Sequence, residues 1–218
     1  MIKGTRMMMK RGAPLPYDAE VEYVETDGLG AYIDTGITPS FDTSVVSLSF
    51  RYVTWNQSYE LSGYNTICGA SPDTTLTKRY YSVGSYVTNQ VFVSVRPTMS
   101  DGDRPALDTD IHDIKMLSSE ILWDGVVKPS IAAAATFPPG VFCLGSRGTD
   151  AVAPTHPEYW FGNVRFYACK IHTGDVLVFD GIPVRKDGVA YMYDQVSGNL
   201  LGNAGASGTS VTYGPDKT

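Results

Sequence analysis

The sequence predicts an all-β protein, and three observations carry that prediction. Runs of alternating apolar and polar residues recur about every 8–12 residues, the spacing of short strands joined by turns in a sandwich or barrel. Gly (22) and Pro (13) punctuate those runs, supplying the backbone freedom and the fixed φ that tight turns need. No long amphipathic helical pattern occurs: "SIAAAATF" has helix-favouring alanines, but it is short and runs into Pro138 and Pro139.

From the N-terminus, "GAPLPYD" is a proline-rich lead-in that is not helical. "AEVEYVE" alternates as a strand, and "GAYIDTGI" is a second strand or its continuation. Ser44 to Val53, "SVVSLSFRYV", has the β-branched content of a third. "TWNQSYELSGYN" is polar and aromatic, a loop or an exposed hairpin end. Strands are expected next at "TICGA", "RYYSVGSYVTNQVFVSV", "DIHDIKMLSS", "ILWDGVV" and "GVFCLGS". Trp123 and Trp160 fall in strand-like runs and read as core.

The last third reads as strand, tight turn, strand, repeated. In "NVRFYACKI", strict alternation puts Val164, Phe166, Ala168 and Lys170 on one face and Arg165, Tyr167, Cys169 and Ile171 on the other. Neither face is cleanly polar, so this strand is expected to be central and covered. His172, Thr173 and Gly174 turn the chain into "DVLVFDGIPV", a second strand.

Composition narrows the function. With 43% hydrophobic residues and 14 Tyr, the 218-residue chain can bury a sizeable core, and sandwiches of this size stay single domains. The expected organisation is a basic arm over residues 1–16 and one domain over residues 17–218. The arm carries Lys3, Arg6, Lys10 and Arg11. It reads either as a frayed tail or as an assembly arm pinned on a neighbouring subunit. It lacks the apolar run of a secretory signal, and no stretch approaches the ~20 apolar residues of a membrane span. No membrane insertion is expected. A net charge of -6 speaks against a nucleic-acid partner, because phosphate contacts need a concentrated basic face.

Cys68, Cys143 and Cys169 cannot all pair within one chain, and each lies in an apolar strand-like run. They read as buried free thiols of a reduced compartment. Closely spaced Cys or His of the kind that binds zinc is absent.

Two segments together carry a family likeness. "EYVETDGLGAYIDTGI" (Glu22 to Ile37) resembles the opening of concanavalin A-like, laminin-G-like domains often met in phage and gut-bacterial proteins, which begin with a Tyr, Ile, Asp, Thr, Gly signature. "FDGIPVRKDGVAYMYDQVSGNLLGNAG" with the closing "GPD" (Phe179 to Asp216) resembles that family's C-terminal segment. Between them, "HDIKMLSSEILWDGVV" is similar to its paired strands ending in a "DG" turn, and "FGNVRFYACKI" to its later strand pair. The resemblance covers most of Tyr17 to Asp216. It implies a two-sheet antiparallel jelly-roll sandwich, a class that includes lectins, glycan-binding modules, glucanases and virion adhesins. Fold alone does not choose among them.

The sharpest enzymatic motif is "EVEYVE", where Glu20, Glu22 and Glu25 have the spacing of the acid/base strand of jelly-roll glucanases. A retaining glycosidase needs two carboxyls roughly 5–5.5 Å apart. In a regular strand Glu20 and Glu22 share a face while Glu25 points away, so a bulge is required. The central residue is Glu22 where those enzymes have Asp, and the motif lies on the first strand instead of mid-chain. The chain has no G-x-S-x-G, H-E-x-x-H, P-loop or G-x-G-x-x-G pattern. His112, His156 and His172 each read locally: one in a strand, one between prolines, one in a turn. No catalytic residue is assigned.

Asp101, Asp103, Asp108, Asp110 and Asp113 are closely spaced oxygen donors, which leaves a calcium ion open as a cofactor. EF-hand spacing is absent, and a solvated acidic loop is the preferred reading; no metal ligand is assigned. Sugar binding needs an exposed ring for the apolar face of a pyranose and amide or carboxylate partners for its hydroxyls. Trp55, Asn56, Gln57, Tyr59 and Tyr64, with Asn65, supply that mixture in one loop. A second set is Tyr80, Tyr81, Tyr86, Asn89 and Gln90.

The expected function is non-enzymatic: a phage, prophage or bacterial-surface protein that binds glycans or decorates a virion. Its expected partners are a cell-surface glycan or other virion proteins, within a homo-oligomer or larger assembly. Cytoplasmic synthesis followed by lysis reconciles free thiols with a virion or cell-surface location. The alternatives are a purely structural capsid or tail protein and a jelly-roll glucanase.

Overall fold

A computed structural model describes residues 14–40, 43–54, 64–71, 81–86, 91–94, 98–99, 104–106, 108–117, 120–128, 130–131, 140–149 and 161–218. Among them 19 strands form, and no helix. The larger sheet holds β1 (Ala19–Glu20), β2 (Val24–Thr26), β4 (Ser44–Thr54), β9 (Ile111–Met116), β10 (Ile121–Trp123), β11 (Val126–Lys128), β15 (Asn163–Thr173), β16 (Val176–Lys186), β17 (Val189–Asp194), β18 (Leu200–Leu201) and β19 (Val211–Tyr213). The smaller holds β3 (Ile33–Asp34), β5 (Tyr64–Ser71), β6 (Tyr81–Tyr86), β7 (Val91–Ser94), β8 (Thr98–Met99), β12 (Ser130–Ile131), β13 (Cys143–Leu144) and β14 (Arg147–Thr149). The chain crosses between sheets repeatedly, from β3 to β4 to β5, from β8 to β9, from β11 to β12 and from β14 to β15. This is an all-β, two-sheet jelly-roll sandwich. Its ladders are antiparallel except that β14 runs parallel to β5, from Gly69 to Ser71.

One core lies between the sheets. Val46, Leu48, Phe50, Phe166 and Phe179 of the larger sheet join Ile33, Ile67, Val83 and Leu144 of the smaller, together with Phe142 just before β13. Trp123 is part of it, all three cysteines are buried, and Cys68 and Cys169 are free thiols. Burial pushes the Cys68 and Cys169 thiols well above the ordinary range, as expected of inert core sulfur.

The larger sheet is ordered β11-β10-β9-β4-β15-β16-β17-β18, so β15 is central, as its sequence predicts. Strict alternation along it does not hold. Its pairing with β4 shifts between Phe166 and Ala168, and the extra residue reverses the parity of the residues after it. Val164 and Phe166 face the core before the bulge, Cys169 and Ile171 after it, while Lys170 is exposed. One face is packed and the other carries polar chains, so the strand is not covered on both sides.

β15 and β16 form a hairpin that opens into a fork. They pair from Thr173 and Val176 as far as Cys169 and Gly181. Beyond that point β2 takes the place beside β15, at Arg165 and Phe166, and β1 the place beside β16, at Val184 and Arg185. The N-terminal segment thus fills a gap that the twist of two long strands opens. Filling both arms breaks "AEVEYVE" into two short strands, with Val21 bridged to Asp216. At the sheet's other turns, Asp124–Gly125 and Asp187–Gly188 have positive φ at both positions, 50° and 77°, 51° and 74°. These are the two-residue hairpin turns that match strand twist.

Candidate functional site

Most of the sequence-predicted glycan loop lies outside the described residues: Trp55, Asn56, Gln57 and Tyr59 all do. Tyr64 opens β5. Tyr80, Asn89 and Gln90 of the second aromatic set, His156, Trp160 and the arm residues Lys3, Arg6, Lys10 and Arg11 also fall outside. What the described residues bring together is a group on the outer face of the larger sheet.

That face has an ordered row. The registers align Thr212 of β19, Glu25 of β2, Arg165 of β15, Arg51 of β4 and Ile111 of β9 across five strands. The Nε of Arg165 donates to Glu25 Oε2 at 2.6 Å, with 27% and 21% of the two side chains exposed. The guanidinium lies 4.3 Å from the centroid of the Tyr23 ring, within cation–π range. Tyr23 in turn meets Tyr167 edge-on at 5.8 Å. The hydrogen bond that Arg165 donates to Glu25, and the charge of that carboxylate, hold the guanidinium above arginine's ordinary value. Ring, cation and carboxylate therefore lock one another into a fixed, half-exposed surface. Tyr167 is the residue of the β15 bulge, and the bulge aims its ring here.

A second ring group sits further along the face. Tyr17 and Tyr193 pack at 5.1 Å between centroids, beside Val184. The Tyr17 hydroxyl donates to Glu20 Oε1 at 3.3 Å. Burial first, then the Glu20 carboxylate, pushes the Tyr17 phenol up to about 12.

The three glutamates of the glucanase-like motif do share a side. The break at Glu22 and Tyr23 lets Val21 and Val24 both face the core, leaving Glu20 and Glu22 exposed and Glu25 half-buried. The irregularity that the catalytic reading requires is present, but it presents Glu25 to Arg165 and Glu20 to Tyr17.

Among the described aspartates of the acidic segment, Asp110 and Asp113 are exposed and Asp108 is engaged by its neighbours. Asp108 Oδ1 accepts the Asp110 N–H at 2.7 Å and lies 2.9 Å from His112 Nε2, while Asp101 and Asp103 lie outside the described residues. Among the described residues no three His, Cys, Asp or Glu side chains converge as a cation would need. Sequence reasoning passed over Arg165 as a strand residue. An arginine set between Val164 and Phe166 of a central strand was the available signal, since a charge there needs a partner.

No family model matches the chain, and no curated protein matches it. Among solved structures it is similar to the mouse laminin alpha1 chain, domains LG4-5, at 12% identity and a TM-score of 0.48. The match covers 96% of this chain and 52% of that one, so this chain spans about half the length of the laminin fragment. The two-sheet architecture rests on this chain's own strand pairing.

Proposed function

We propose that the chain is a non-enzymatic glycan-recognition module, an adhesin or decoration domain of a phage or prophage particle or of a bacterial surface. The observation that supports this most is the Tyr23–Glu25–Arg165–Tyr167 group on the outer sheet face. Its rings suit the apolar face of a pyranose, and its guanidinium and carboxylate suit the hydroxyls and substituents of a sugar. Mutual locking keeps the ordering cost of binding low. The commitment of Glu25 to Arg165 favours binding over glycoside hydrolysis, which requires a carboxyl free to act as acid or nucleophile. The segment with Trp55, Asn56, Gln57, Tyr59 and Tyr64 is the second candidate for sugar contact, and the phage setting rests on the segment resemblance alone.

The test is a glycan array probed with the folded chain, with and without calcium. Tyr167→Ala should abolish or sharply weaken binding while leaving the fold intact. Loss in Trp55→Ala with Tyr167→Ala unaffected would move the site to the loop. Silence of the folded wild-type protein across the array would overturn the glycan reading and favour a structural assembly component. Release of reducing sugar, lost in Glu20→Gln, would overturn the non-enzymatic one.

A further inference from the structure

His112 is turned inward from β9 and is 7% exposed, yet both of its ring nitrogens face carboxylates. Nδ1 lies 2.9 Å from Asp124 Oδ2 and Nε2 lies 2.9 Å from Asp108 Oδ1. An ionised carboxylate has only acceptors, and a neutral imidazole has a single N–H. Both contacts are hydrogen bonds only when the ring carries two protons. Phe50 of β4 and Trp123 of β10 enclose the ring, with centroids at 6.2 and 4.7 Å, and their faces suit a cation.

The two arms are unequally anchored. Asp124 also accepts the Asp113 N–H at 2.8 Å and donates its own N–H to the Asp113 carbonyl at 2.8 Å, so the hairpin turn holds it in place. Asp108 has its side chain more than half exposed and sits three residues after Pro105, whose carbonyl accepts the N–H of Val91 in the smaller sheet at 3.0 Å. His112 therefore links the β10–β11 turn of one sheet to a segment bonded to the other.

We propose that Asp108, His112 and Asp124 form a proton-operated latch that closes this end of the sandwich. The doubly protonated ring fastens both arms. Loss of one ring proton sets a lone pair against a carboxylate, and the exposed Asp108 arm lets go. Among the described residues the charged side chains touching the ring are Asp108 and Asp124; β4 and β10 contribute rings, and Asp110 and Asp113 are exposed. Burial alone would lower the His112 value, but the hydrogen bonds and charges of Asp124 and Asp108 outweigh it and hold it above the ordinary 6.5. The Asp110 N–H and His112 hold the Asp108 carboxyl below its ordinary 3.8.

The directions set the window. Stabilisation from a raised His112 is complete below 6.5 and is lost as pH rises through the folded value. That from a lowered Asp108 is present above 3.8 and is lost as pH falls through its folded value. The latch is closed in mild acid and opens on the alkaline side.

Nitrogen-15 NMR of the histidine rings in the full chain tests this. The expected result is two protonated nitrogens on His112 at pH 6 and a midpoint above 6.5. Past that midpoint the Val91 amide should exchange about tenfold faster than its intrinsic pH dependence predicts, the size of one charge-assisted hydrogen bond. Asp108→Asn, at an exposed site, should lower both the His112 midpoint and the pH at which Val91 exchange accelerates. A wild-type midpoint at or below 6.5 would overturn the latch, as would an Asp108→Asn variant with unchanged titration and exchange.

Discussion

Asp194 carries more hydrogen bonds than any surface aspartate could justify. It is 3% exposed, and its carboxylate accepts from the Asp180, Val196 and Ser197 amides and from the Ser197 hydroxyl, at 3.0, 3.0, 3.1 and 2.6 Å. Truncation strands these donors at the end of β17. Asp194→Ala should cost roughly 2–4 kcal/mol in urea unfolding, and Asp194→Asn, which keeps one acceptor, less. Gly162 is constrained by space: a Cβ there would lie 2.5 Å from the Thr66 carbonyl oxygen, where the connection into β15 passes β5. Gly162→Ala should destabilise by about 1–3 kcal/mol through overpacking. A Cβ on Gly125 meets nothing within 4 Å, so Gly125→Ala carries only the backbone strain of its φ of 77°, about 1 kcal/mol. Ranking the two variants by unfolding midpoint checks the distinction.

At the scale of the element, β15 is organised by one extra residue. Without the bulge at Tyr167, the register set by Val164 and Phe166 would carry Lys170 into the core and Cys169 and Ile171 out of it. Deleting Tyr167 and Ala168 together should therefore turn Lys170 inward and abolish cooperative unfolding, read by circular dichroism, whereas deleting Tyr167 alone straightens the strand with Cys169 and Ile171 still inward, and inserting one residue at the exposed Gly174–Asp175 turn should leave most stability intact. Phe166→Ala, emptying a buried site, should cost about 3–5 kcal/mol. Here the limit of the sequence is plain. Strand content was legible in Ser44 to Val53, in Asn163 to Ile171 and in the run after Gly174, because β-branched and aromatic residues cluster there. The parity reversal was not, since "RFYACK" offers acceptable side chains to either face. The break in "AEVEYVE" was equally hidden: it comes from two strands paired far downstream.

On the scale of the whole molecule, the same dependence explains what of the site was legible. Trp55 and Tyr59 stand out in sequence because they are aromatic residues in a polar stretch. Tyr23, Glu25 and Arg165 become a group only through a register that joins residues 140 positions apart. His112 likewise gives no sign of its carboxylates, one of which comes from the next hairpin. The two ends of the described chain meet on β16, where Arg185 makes a two-pronged bond to Asp216 at 2.7 and 2.8 Å and reaches Asp18 at 3.6 Å. Arg185→Ala should lower the melting temperature, by less than Phe166→Ala does, because this clamp is open to solvent and screened. The fork also bears on time. The two short strands that fill it, β1 and β2, are made before β15 and β16, which follow more than a hundred residues later. Closing such a distant pairing is slow, and meanwhile Val21 and Val24 have no core to enter, leaving an adhesive segment exposed on the growing chain. Of these four strands, the two made first wait on the two made last.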